Sequence, residues 1–215
     1  VARCVRRFHR GRLPVVDASE MLTVLGKIEA YEGAAGGDWT KRVMMVADDP
    51  DGAGDFPADS DAVAALLPDV YGVKRVYLPD YDATGMARQD IIEGINEGVL
   101  LLNYIGHAGW NGLAHEGMLR PVDVGSLNNG EKLPVVTAMT CLVARYEFPG
   151  LQPLGAYLLL ESDGGAGAVW APSGMSANAH AVSLDKAFFQ AVFDDSERVV
   201  GDAVLQALAA YESGE

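Results

Sequence analysis

Apolar positions along the chain follow two alternating periods. Over 17–31 they recur three and four residues apart, with Met21, Leu22, Leu25 and Ile28 on one stripe. Asp17 stands where an N-cap is needed, Glu20 three positions on completes a capping box, and Gly33 closes the segment, so a helix is predicted. Residues 42–47 instead form a short apolar run, the signature of a strand. The loop Asp48-Asp49-Pro50-Asp51-Gly52-Ala53-Gly54-Asp55 that follows is too rich in turn formers for regular structure. The alternation continues with a helix over 60–67, a strand over 75–78, a helix over 88–96 ended by Gly98, and a strand over 99–104. Then come a helical turn over 122–127, a strand over 134–139, a helix over 154–160, a strand over 166–171, and helices over 184–193 and 200–211.

Strands that alternate with helices, some of them apolar throughout, specify a mostly parallel sheet covered on both faces, a three-layer α/β/α sandwich. In such sheets ligands and reactive groups gather beyond the carboxyl ends of the strands. Asp48 and Asp49, His107 and Cys141 each follow a different predicted strand at that edge. A cysteine leaving a strand is a nucleophile once a base takes its proton, and His107, set in Gly106-His107-Ala108-Gly109, is the available base. Asp49, or Asp48 one residue earlier, would orient the ring, and the amides of Ala108 and Cys141 would hold an oxyanion. Taken alone, each residue reads more readily as a small core cysteine, a turn histidine or a solvated acid; their shared edge makes them one constellation.

Composition narrows the partners. The 215 residues are 49% hydrophobic, enough for a substantial core, and carry a net charge of -14, which disfavours a nucleic-acid partner and favours a cationic peptide. Residues 1–12 run against this trend, with Arg3, Arg6, Arg7, Arg10 and Arg12 and no acid. They read as the remnant of a preceding region, with 13–215 as a single domain that is truncated at both ends and attached to further domains in a longer protein. Cys4 and Cys141 are the two cysteines, so no disulfide framework is expected, and no apolar run is long enough for a membrane span. His115-Glu116 lacks the second histidine of a zinc helix, Gly164-Gly165-Ala166-Gly167 precedes a strand rather than a helix, and Ser173-Gly174 is no nucleophile elbow. No cofactor is required; the carboxylates of 49–55 leave a structural calcium ion open, although the EF-hand spacing is absent.

Several motifs together resemble the catalytic domain of the gingipain family of cysteine peptidases, of the caspase-like clan. They are Gly11-Arg12-Leu13-Pro14-Val15, Val46-Ala47-Asp48-Asp49, Asn103-Tyr104-Ile105-Gly106-His107, Thr140-Cys141, Asp163-Gly164-Gly165-Ala166 and Gly201-Asp202-Ala203-Val204-Leu205. The resemblance implies a caspase-like fold, His107 as catalytic base, Cys141 as nucleophile, Asp49 as the acid that orients the histidine, and secretion or attachment to a bacterial surface. Ile105, Gly106 and Met139 flank the dyad and are expected to line the specificity pocket. Asp59 or Asp61 occupies the stretch that binds a basic P1 side chain in arginine-directed members. Ala108 replaces the glycine of the family's Gly-His-Gly; if that position needs positive φ, it adds strain of about 1 kcal/mol. The expected activity is hydrolysis of a peptide or protein through a thioester. The rival expectations are a non-catalytic scaffold domain for export or partner binding, and a transpeptidase.

Overall fold

The computed structural model describes residues 11–34 and 36–213. In chain order its elements are α1 (Ala18–Gly33), β1 (Arg42–Ala47), α2 (Phe56–Ala64), β2 (Gly72–Tyr77), α3 (Thr84–Glu97), β3 (Leu101–Ile105), β4 (Ala108–Gly109), β5 (Gly112–Leu113), α4 (Pro121–Val124), β6 (Val135–Met139), α5 (Leu154–Leu160), β7 (Ala168–Trp170), α6 (Asn178–Phe193) and α7 (Val200–Ser213). Five strands form one parallel sheet in the order β2-β1-β3-β6-β7, and β4 pairs with β5 in a small antiparallel hairpin.

Alternation along the strands builds a core on each face. Met44, Val46, Leu102 and Tyr104 point to the side that α3 and α5 cover, where they meet Ile91, Ile95 and Leu158. Val43, Met45, Leu101 and Ile105 point the other way and meet Phe56 and Val63 of α2 and Phe188 and Phe189 of α6. β1 and β3 are therefore apolar at nearly every position, as strands covered on both faces must be.

Most predicted elements are present with shifted ends, and the shifts have local causes. α2 starts at Phe56 rather than 60 because the Asp55 side chain accepts the amide of Ala58 and Pro57 suits the first turn. α6 begins at Asn178, six residues before the predicted start. In α1, Asp17 caps the amide of Glu20, while the Glu20 carboxylate reaches back to the amide of Val16 rather than Asp17. The predicted apolar stripe of α1 is largely outside: Val24 is its buried residue, and Leu22, Leu25 and Ile28 are exposed. What fastens α1 is Lys27, whose ammonium donates to the carbonyls of Leu158 (3.2 Å), Leu159 (2.9 Å) and Glu161 (3.0 Å) at the end of α5. Burial pulls that amine down to about 8, and Glu161 opposes the shift. The predicted roles of Cys4 and the arginines at 3, 6, 7 and 10 fall outside the described residues; Arg12 lies over the Tyr146 ring, 4.3 Å from its centroid.

The chain leaves β1 for β2 on one side, then returns to place β3 on the other. This reversal is the switch point of the sheet, where loops diverge and leave a crevice. The loops after β1 and β3 open there, and the loop after β6 lies beside them.

Candidate active site

The 34-residue spacing of His107 and Cys141 is the register of the sheet. Ile105 on β3 is paired with Met139 on β6, and each reactive residue stands two positions beyond its member of that pair. Gly106 makes the exit from β3 workable. A Cβ there would lie 2.4 Å from Asp48 Cβ and 2.6 Å from the Tyr104 hydroxyl oxygen, so only glycine lets the strand end come this close to the loop after β1.

Asp48, 2% exposed, uses that closeness. Its amide donates to the Ile105 carbonyl (3.1 Å), and its carboxylate accepts the amides of His107 (3.0 Å) and Asp49 (3.0 Å). Burial pushes its carboxyl up to about 6, against the two amides, which favour the ionised form. Asp48 thus holds the backbone of His107 and not its ring.

The ring is held by Asp51. Its carboxylate accepts from His107 Nε2 at 2.9 Å, the contact that was expected of Asp49. Chain direction explains the difference. Asp48 is turned inward and Asp49, next along, faces solvent; the loop then folds back through a bridge between Asp51 and Gly54 that aims Asp51 at the imidazole. The other oxygen of Asp51 accepts the amide of Ala53 at 2.7 Å, and this bond, followed by the one from His107, keeps its carboxyl below the usual range. With Nε2 donating to a carboxylate, Nδ1 is left as the basic nitrogen.

The faces of the ring are occupied as well. Phe56 meets it edge-on with centroids 5.3 Å apart, and His115 lies over it at 5.3 Å and 35°. The His107 carbonyl accepts the buried Tyr104 hydroxyl and the Ala114 amide (2.8 Å). Ala114 adopts φ 58°, an unusual conformation for a non-glycine residue, and so carries His115 into place. Arg88 of α3 steadies this turn by donating to the Gly117 carbonyl while pairing with Asp123 at 3.3 Å. His115, Phe56 and Asp51 were not anticipated as partners of the ring. Asp51 could have been found as one of four acids in the loop after β1, but the other two partners depend on tertiary packing.

Cys141 is half-buried. Its Sγ accepts the amide of Ser176 at 3.3 Å and donates to the Ser176 carbonyl at 3.5 Å. The segments around them run as a short ladder, with Leu142 N–H donating to Gly174 O (3.1 Å) and Ala144 N–H to Pro172 O (3.0 Å). Leu142, next to the cysteine, sits at φ 61°. Among the described residues, the thiol takes its hydrogen bonds from Ser176 and the imidazole from Asp51, so the two reactive groups are adjacent in the fold without being bonded to one another.

The remaining expected residues divide clearly. Ala108 is not among the residues with positive φ, so alanine carries no backbone penalty there; it is half-buried in β4 opposite Leu113. Gly106 acts by its lack of a side chain. Ile105 is fully buried in the core beneath α2 and α6, so its side chain offers substrate nothing. Met139, in contrast, lines a cavity of about 180 Å³ on the Cys141 side. Asp61 is paired with Arg75 (2.7 Å) and accepts the Tyr77 hydroxyl (2.9 Å), which together hold its carboxyl below the usual range. Asp59 accepts the Asn178 amide at 2.7 Å. For a cation, Asp48, Asp49 and Glu116 could each turn one oxygen toward a common point, their ligand atoms lying within 4.8 Å of one another. No helix among the described residues is long and apolar enough to cross a membrane.

A family model described as Peptidase family C25 matches residues 6–214. Among solved structures, the Arg-specific cysteine proteinase gingipain R (RgpB) superposes with a TM-score of 0.84 at 18% identity, over 96% of this chain and 50% of that one. A complex of Porphyromonas gingivalis RgpB pro- and mature domains gives 0.82 at 17% identity, over 95% and 51%. A third structure, described only as a protease, gives 0.71 at 16%, over 94% and 49%. The chain therefore spans about half the length of the structures it resembles. No curated protein sequence matches it.

Proposed function

Because the chain belongs to peptidase family C25, we propose that it is a cysteine endopeptidase domain in which Cys141 and His107 act as nucleophile and base. The observation that carries this reading is the joint exit of the two residues from the Ile105–Met139 pair, with the imidazole fixed at Nε2 by Asp51.

In the proposed cycle, Cys141 leaves Ser176 by rotation about its Cα–Cβ bond and passes its proton to Nδ1 of His107. The thiolate attacks the scissile carbonyl carbon, and the oxyanion takes hydrogen bonds from the amides of Ala108 and Cys141. Collapse breaks the C–N bond as the imidazolium returns its proton to the departing amine, leaving a thioester. Water, deprotonated by His107, then releases the acid and restores the thiol. Asp51 remains ionised throughout; it orients the ring and stabilises the imidazolium. A secreted or surface address belongs to the same reading.

The test is an irreversible peptidyl thiol probe, mapped by mass spectrometry on the wild type, Cys141→Ala and His107→Ala. Labelling is expected on Cys141 and should slow by about 100-fold without His107. If Cys141 in the wild type is labelled no faster than Cys4, the proposal fails.

A further inference from the structure

The cavity of about 180 Å³ beside Cys141 is lined by Met139, Trp170, Ala181, Leu184 and Leu208, with Ala138, Ala171 and Pro172 completing the apolar wall. Its two polar contributors are Thr140 and Ser176. Thr140 immediately precedes the cysteine, and Ser176 is the residue whose backbone brackets Sγ. The cavity therefore shares two of its residues with the immediate surroundings of that sulfur.

From this we infer that the P1 side chain is apolar, of leucine, methionine or phenylalanine size, and that it enters this cavity. The inference rests on Cys141 being the nucleophile. The volume suits one side chain, well short of the roughly 300–1,000 Å³ of a whole-ligand pocket. No charged residue lines it, so a guanidinium or ammonium inside would have no counter-charge and would lose its water. Of the carboxylates expected to receive a basic P1 side chain, Asp61 is paired with Arg75 and Tyr77 and Asp59 accepts the neutral amide of Asn178, and neither lines this cavity. Trp170 and Met139 provide a flat ring and a pliable thioether, walls that adapt to several apolar shapes. Met175, 82% exposed and next to Ser176 in sequence, adds apolar surface close to the thiol.

The experiment compares peptides that differ only at P1, carrying norleucine, phenylalanine, alanine, arginine or glutamate. The kcat/KM for norleucine is expected to exceed that for arginine by about 30-fold, the worth of burying one apolar side chain. Leu208, partly exposed at the rim, tolerates a charge without unfolding the core, and Leu208→Glu should move the norleucine-to-arginine ratio at least about tenfold toward arginine. Preference for arginine by the wild type overturns the inference and leaves the nucleophile reading intact. If no peptide is cleaved, hydrolysis falls, and the cavity is read instead by titrating the same peptides into Cys141→Ala. Tighter binding of norleucine than arginine supports the pocket, and equal or tighter binding of arginine rules it out.

Discussion

The imidazole of His107 has partners on nearly every side. Asp51 takes Nε2, Phe56 and His115 cover the ring, and its own backbone is tied to Asp48, Tyr104 and Ala114. Such a ring is held in one orientation, with Nδ1 left for a proton, before any substrate arrives. The two neighbouring acids should therefore separate cleanly on mutation. Asp51→Ala is expected to lower kcat/KM by roughly 10–100-fold, mostly through kcat, because the ring loses both its orienting bond and the charge that stabilises the imidazolium. Asp49→Ala, which removes an exposed carboxylate with no bond to the ring, should stay within about threefold. Steady-state kinetics on one good substrate decides the matter; a larger loss for Asp49 than for Asp51 would reassign the orienting acid.

At the scale of elements, α6 is joined to the sheet by a polar contact inside an apolar layer. Asn103 on β3 donates to Thr137 on β6 (2.8 Å) and to both oxygens of Asp185 on α6 (2.8 and 2.7 Å). Burial pushes the Asp185 carboxyl up to about 8, partly offset by Asn103. An unfolded aspartate titrates at about 3.9, so the native chain binds the extra proton between these values. The stability associated with Asp185 is thus complete below pH 4 and is lost as pH rises through about 8. Asp48, raised to about 6, has the same sign over a lower window. Between pH 6.5 and 7.5, above the midpoint of Asp48 and below that of the Lys27 amine, whose effect has the opposite sign, the wild type should lose stability more steeply than Asp185→Asn, by up to about 1.4 kcal/mol per pH unit. Urea melts at the two pH values measure this, and parallel slopes would exclude Asp185 as the proton-binding group.

Local sequence carried β1 and α5 to the residue, because an apolar run bounded by charge or by turn formers marks a strand or a helix without help from the rest of the chain. It also placed Cys141 and His107 at one sheet edge, since the carboxyl end of a strand is visible in sequence. Asp51 and His115 were less legible: each reaches the ring through a fold-back of its loop, and periodicity says nothing about where a loop side chain lands. The stripe of α1 misled for a related reason, as an apolar pattern shows which face is able to be covered and not what covers it.

Over the whole molecule, the net charge of -14 acts on approach more than on contact. Peptides with lysine or arginine at positions outside P1 should lose kcat/KM severalfold between about 50 and 300 mM salt, as the screening length shrinks, whereas neutral peptides should change little. Stopped-flow or initial-rate assays across that range test it; equal salt dependence for both peptide classes would show that the surface field does not steer binding.

The pairing of Ile105 with Met139 has a temporal side. His107 and Cys141 follow separate strands that meet only after the segment through Val135–Met139 has been made and has docked beside β3. Before that point the extended chain holds a thiol and an imidazole with no common edge. On the proposed reading hydrolytic power would appear together with the closed sheet, so the same register that aligns the two residues would also time its onset.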